Sequence, residues 1–217
     1  MAAYDSAAGG FVSKKTGKRM TGLYSASDFH PSSHATTLAQ RRGMMRGRAL
    51  HKEIELHIKN GAPLRTSRGY SVMQTIKQLY PNVEIVDAEV PVANMKRRVA
   101  TQVDVLIRTK EIGDIVVEIK YAGPPAKYYM ANSRESRGTM HARSQNKFIP
   151  RTTHNEHMDQ LRSTMSLYAC SKKRHRGAQL HGILLVAAED ETLIFKTSHQ
   201  HIPNTGINAQ RGLKSIA

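Results

Sequence analysis

The stretch that decides the fold is "DIVVEIKYAG", residues 114–123. Ile115, Val116, Val117 and Ile119 make a short run of β-formers with a turn signal at Gly123, which predicts a strand headed for a core. Yet Glu118 and Lys120 stand inside that run. Burying a carboxylate or an amine is costly unless each finds a partner, so the pair requires a reason.

The preceding segment supplies one. "RVATQVDVLIR", residues 98–108, predicts a second strand, and "TKEIG", residues 109–113, the turn that joins the two. Strand side chains alternate between faces. Val103, Val105 and Ile107 then share a face, as do Ile115, Val117, Ile119 and Tyr121, giving one apolar surface. The other faces hold Gln102, Asp104, Leu106 and Arg108, and Asp114, Val116, Glu118 and Lys120. A hairpin centred on Glu111 sets Asp104 opposite Glu118 and Gln102 opposite Lys120, with Cβ atoms about 5 Å apart. Two carboxylates facing each other repel unless a proton, Lys120 or a cation comes between them. Converging carboxylates form a hard-oxygen site suited to Mg²⁺ or Mn²⁺. The plainer alternative is an exposed sheet face carrying an ordinary Glu–Lys pair.

Outward from this hairpin, "VEIVDAEVPV" (83–92) predicts another strand. "GRALHKEIELHIKNG" (47–61) predicts a helix with Leu50, Ile54 and Ile58 on one stripe and a stop at Asn60-Gly61. His51 lies one step around from that stripe, where it can reach over the carboxylates, and Glu55 lies one turn further along beside it. A second helix is predicted through "SVMQTIKQLY" (71–80), ending before Pro81, and short helices in 25–47. Residues 122–153 are long, basic and poor in apolar residues, which predicts a functional or disordered loop. "NEHMDQLRSTMSLYACSKK" (155–173) returns to helical spacing. "LHGILLVAAEDETLIFKTS" (180–198) predicts a hairpin turning at "EDE". Residues 1–30 read as a flexible basic arm, and 201–217 as a tail without signal. The element order predicts an α/β domain, with a central mixed β-sheet flanked by helices.

The 217 residues carry 33 Lys and Arg against 17 Asp and Glu, a formal charge of +16. That excess favours a polyanionic partner, because neutralising phosphates releases counterions. The one cysteine, Cys170, rules out an intrachain disulfide and suits a reducing compartment. No run of 18 apolar residues and no leader pattern is present, so an intracellular protein, cytoplasmic or nuclear and not secreted, with no membrane partner, is expected.

Gly47-x-x-x-His51-x-x-x-Glu55, Asp104, Glu118-x-Lys120 and Gln160 on a following helix resemble, in order and spacing, the PD-(D/E)XK nuclease superfamily, specifically its RecB-type and lambda-exonuclease-like branches. The resemblance spans about residues 45–197 and implies a restriction-endonuclease-like nuclease domain over 31–200. It implies Asp104, Glu118, His51 and the Ile119 carbonyl as ligands of Mg²⁺ or Mn²⁺. It further implies Lys120 as the group that orients or activates water, and Gln160 as a supporting or DNA-contacting residue. Glu55 is expected to support His51. Val103 stands where the superfamily often has Pro, and Thr164 where the RecB-type branch has Tyr, with Tyr168 one turn later.

In the basic loop, Lys127, Arg134, Arg137, Arg143, Lys147 and Arg151 are expected to grip a phosphate backbone, and Tyr128 and Tyr129 to stack on a base. "HNEH" (154–157) lacks a partner Cys pair and reads as surface histidines, Cys170 as a buried thiol, and "KKRHR" (172–176) as a nuclear address or a basic helix end. The function expected is metal-dependent DNA hydrolysis, as an exonuclease of recombination, repair or viral replication. A structure-specific or junction-resolving endonuclease is the alternative on the same fold, and a non-catalytic nucleic-acid-binding or packaging protein the alternative of another class.

Overall fold

A computed structural model describes residues 2–5, 10–22, 38–123, 125–127, 129, 153–171, 179–201 and 213–215. Three helices, α1 (Leu38–Asn60), α2 (Ser67–Leu79) and α3 (Thr153–Ser171), flank a seven-stranded mixed sheet. Its strands are β3 (Thr21–Gly22), β4 (Glu84–Asn94), β5 (Val99–Thr109), β6 (Gly113–Tyr121), β7 (Gln179–Ala187), β8 (Thr192–His201) and β9 (Leu213–Ser215). They lie in the order β3-β5-β6-β7-β8-β9, with β4 on β5. The β3–β5 and β6–β7 pairs are parallel and the others antiparallel. A separate hairpin joins β1 (Ala2–Asp5) to β2 (Gly10–Ser13).

The sheet is apolar on both faces, and each face has its own core. Leu50 and Ile54 of α1 and Val72, Met73 and Ile76 of α2 pack on Val105, Ile107, Ile115, Val117 and Ile119. Leu161, Met165 and Tyr168 of α3 pack on Leu106, Val116, Leu184 and Val186. The expectation of one apolar and one polar face is therefore corrected, since Leu106 and Val116 anchor a second core. Val103 belongs with the α3 core rather than with Val105 and Ile107.

Local chemistry sets the ends of the helices. α1 stops at Gly61, whose backbone takes φ 67, a conformation glycine adopts without strain. Gly61 N–H and Ala62 N–H then donate to the carbonyls of His57 and Leu56. Thr66 caps α2 by accepting from the Gly69 N–H at 3.0 Å. Glu53 of α1 accepts from the N–H of Thr66 at 2.7 Å, which ties α1 to the start of α2.

Residues 1–30 were expected to lack regular structure, but 2–5, 10–13 and 21–22 form strands. Phe11 and Met20 close a small core with Ala93 and Ala100, an apolar set too sparse to show as a period in so basic a stretch. In the 201–217 tail, β9 pairs with β8. α1 begins at Leu38, nine residues before the predicted start, and β7 and β8 form the expected hairpin.

α3 crosses β7 where Gly182 leaves no room. A Cβ there would lie 2.5 Å from Met165 Sδ and 3.1 Å from Leu161 Cδ1. Gly182→Val should overpack this contact and lower the unfolding free energy by roughly 1–3 kcal/mol in urea denaturation, whereas Gly123→Ala, facing open space, should change it little.

Candidate active site

β5 and β6 pair from Thr109↔Gly113 to Val105↔Val117, the register of a hairpin centred on Glu111. One step further Asp104 would face Glu118, but the ladder stops. In its place the Ile119 N–H donates to Asp104 Oδ2 at 2.6 Å. A side-chain carboxylate has taken the position of a ladder carbonyl, and β5 parts from β6 to meet β3 at Val99 and Ala100. The expected Gln102–Lys120 pairing does not form, because the strands have already diverged.

The buried stripe of α1 brings His51 over this fork. Its Nε2 lies 3.0 Å from the Ile119 carbonyl, and its Nδ1 lies 3.4 Å from Glu89 Oε1 and 3.5 Å from Asp104 Oδ1. Ligand atoms of His51, Glu89 and Asp104 all lie within 4.8 Å of one another, close enough to hold one metal ion. Glu118 is 1 % exposed. Its Oε1 accepts from Lys120 Nζ at 2.6 Å, while its Oε2 is buried without a hydrogen-bond partner among the described residues. Leaving a buried acceptor unpaired costs about 1–3 kcal/mol, more for a charged one. The group whose ligand atoms converge is His51, Glu89 and Asp104, an imidazole and two carboxylates of a kind that can hold a hard divalent ion, and Glu118 stands beside it on β6.

Electrostatics agree with the crowding. Burial, then the charge of Glu118, push the Asp104 carboxyl well above the usual carboxylate range, against the pull of His51 and Lys120. Burial alone would lower the His51 pKa. The Asp104 charge and the Glu89 hydrogen bond and charge more than reverse that, raising it to about 9. Both ring nitrogens of His51 thus face oxygen atoms, Nδ1 those of Glu89 and Asp104 and Nε2 the Ile119 carbonyl.

Sequence reasoning missed Glu89. It sits in "AEVPV" on β4 with φ 49, one of two non-glycine residues with positive φ among those described. A β-bulge between Ile85 and Asp87 sets the β4 register along this stretch. Nothing in the local sequence marks that turn of the backbone, although an acid at the level of Asp104 on the neighbouring strand is a signal. Glu89 also takes the role expected of Glu55, which instead bridges Lys52 at 2.9 Å and Lys59 at 3.2 Å on the outer side of α1. The two lysines, at i−3 and i+4, capture its carboxylate.

α3 brings Gln160 to a half-buried position without a hydrogen bond to the carboxylates. The α3 residue coupled to the site is His157, lowered to about 3 by burial and then by the charge of Lys120. Tyr129, expected to stack on a base, is 6 % exposed, with its hydroxyl 3.0 Å from His157 Nδ1 and its ring against Phe195. Its large apolar ring is worth more in the α3 core than in solvent. His154 and His157 are half-buried rather than surface histidines, and Cys170 is exposed rather than buried. Thr164 is buried, and Tyr168 donates its hydroxyl to Asp114. Lys127 is exposed beside Ala126, whose N–H donates to Asp190. Tyr128, Arg134, Arg137, Arg143, Lys147, Arg151 and the "KKRHR" run lie outside the described residues. No described helix is long and apolar enough to cross a membrane.

No family model matches the chain, and no curated protein does. Among solved structures, one described as "Crystal structure of SSO0001" is similar at a TM-score of 0.29 and 14% identity, over 77% of this chain and 54% of that one. The chain thus spans about half the length of that structure, and the likeness is too low to define a common fold.

The lowered pKa of the half-buried His157 makes a pH prediction. Its proton is bound in the unfolded chain below about 6.5 but in the folded chain only below about 3. The stability it contributes is complete above 6.5 and is lost as pH falls toward 3. Between pH 7 and 5 the wild type should lose on the order of 2 kcal/mol from this group in urea denaturation. His157→Gln should remove that part of the slope, and an unchanged slope would contradict the assignment.

Proposed function

We propose that the chain is a metal-dependent nuclease that hydrolyses DNA phosphodiester bonds, acting as an exonuclease. What carries the reading is the fork between β5 and β6. There His51, Glu89 and Asp104 bring their ligand atoms within 4.8 Å of one another, and Glu118, paired with Lys120, stands near enough for both to act on the charge of Asp104. Apart from Glu89, this is the residue set that resembles the PD-(D/E)XK nucleases. The charge of +16 supports a polyanionic substrate.

Asp104 and Glu118 would hold Mg²⁺ or Mn²⁺ with His51 and the Ile119 carbonyl, and Glu89 stands close enough to join them. Bound there, such an ion lowers the pKa of a water and neutralises charge on a phosphate. Lys120, oriented by Glu118 Oε1, presents its ammonium to an incoming phosphate oxygen and offsets charge that grows on it during attack. Glu89 and Asp104 fix the ring of His51 from its Nδ1 side. β6 delivers Glu118 and Lys120 from one strand face, so their spacing is set by backbone geometry and not by flexible loops.

Purified protein should cut linear DNA with Mg²⁺ or Mn²⁺ and fail with EDTA. Asp104→Ala, Glu118→Ala and Lys120→Ala should each lower cleavage by roughly 100-fold or more while DNA binding largely survives. Cleavage of closed circles would replace the exonuclease reading with an endonuclease one. Metal-independent behaviour, unchanged by all three substitutions, would leave a binding or packaging protein.

A further inference from the structure

We propose that the β2–β3 and β4–β5 turns form a second contact for the DNA backbone, at a distance from the scissile bond. The proposal rests on the nuclease reading for its substrate. The two turns, "KKTGKR" (14–19) and "MKRR" (95–98), are held side by side. The Thr21 N–H donates to the Arg98 carbonyl at 2.8 Å, and Arg98 Nη2 donates to the Arg19 carbonyl at 3.2 Å. They gather Lys14, Lys15, Lys18, Arg19, Lys96, Arg97 and Arg98 with no acid in either turn, and among the described residues none of the seven is ion-paired. All but Arg97 are exposed. Between the turns lies a cavity of about 260 Å³ lined by Lys15, Lys18, Arg98, Ser13 and Thr16 together with Met20 and Met95. Cations and hydroxyls around one hollow are the donors that a phosphate oxygen needs.

Arg98 adds an independent observation. Its backbone holds φ 56, in the left-handed region, at a turn position where glycine would sit without strain. The chain keeps a guanidinium at a backbone position that disfavours it, and observed strain of this kind points to a use for the side chain. The only exposed large apolar residue of the two turns is Met95. That is little to bury in a lipid interface, which favours nucleic acid over a membrane surface.

Position fits the same reading. Asp104 lies six residues along β5 from Arg98, roughly 20 Å at strand rise. That corresponds to roughly six phosphates at the 3.4 Å spacing of one duplex strand. The turns would therefore hold the stem of a long substrate and leave a very short one untouched.

The test uses Arg98→Gly, a substitution the backbone favours. Affinity for a fluorescent duplex of about 20 base pairs is measured against salt in EDTA, so that cleavage plays no part. Arg98→Gly loses the bond to the Arg19 carbonyl but relaxes the backbone, so it should change the melting temperature little, bind several-fold more weakly, and lower the salt slope by roughly 0.9. Lys15→Ala and Lys18→Ala added to it should each lower the slope by a similar amount. Lys110→Ala, a cation lost from the turn at the other end of β5, should leave affinity unchanged. Equal affinity of wild type and the triple variant overturns the proposal, and so does loss of binding to phosphatidylserine vesicles with DNA binding intact. Because binding is read without metal, either result stands apart from the nuclease reading. Absent cleavage with the Arg98 effect intact fails only that reading, and cleavage without the effect fails only this one.

Discussion

The Ile119 N–H bonded to the Asp104 carboxylate at 2.6 Å is the constraint on which the site depends. A two-stranded ladder normally satisfies each inward N–H with a carbonyl of its neighbour. At this point a side chain does it, so β5 is free to leave β6 without stranding a buried donor. The parting opens the sheet where Asp104 of β5, Glu89 of β4 and an imidazole from α1 converge. Had the ladder run on, Asp104 and Glu118 would stand in a closed pair with no room for a third group between them.

Such a fork is expensive. Asp104 and Glu118 are both largely removed from water, and one oxygen of Glu118 has no hydrogen-bond partner among the described residues. Glu89 sits in a backbone conformation that disfavours any residue but glycine. The two cores on either face of the sheet hold these groups in place. Leu50 and Ile54 seat α1 so that His51 faces the fork, and Leu161 and Met165 seat α3 against the opposite face. Strain and buried charge are thus concentrated where β5 parts from β6, inside an otherwise well-packed sheet.

Much of this was legible in the residues. Period-2 runs gave β4 through β8, and the centring of the turn on Glu111 gave the β5–β6 register. The i, i+4 stripe of Leu50 and Ile54 placed His51 over the acids. What escaped were features set by tertiary contact. Glu89 depends on a left-handed residue within β4, which no local pattern announces. Glu55 has the right spacing to support His51, but two lysines at helical distance claim it. Tyr129 sits in a polar, basic stretch and still belongs to a core, because that core is built by α3 and β8 from far along the chain. β2 and β3 hid in a basic segment because four residues, Phe11, Met20, Ala93 and Ala100, suffice to seat them.

The most direct measurement is an anomalous difference map from crystals soaked in Mn²⁺ near pH 7.5, with and without a short DNA strand. The account predicts a peak in the fork, at about 2.0–2.2 Å from a carboxylate oxygen of Asp104, an oxygen of Glu118 and a ring nitrogen of His51. It also predicts that the imidazole lets go of the Ile119 carbonyl or of Asp104 when the ion arrives. A map with DNA bound and no peak between these residues, or with the ion held elsewhere, would contradict it.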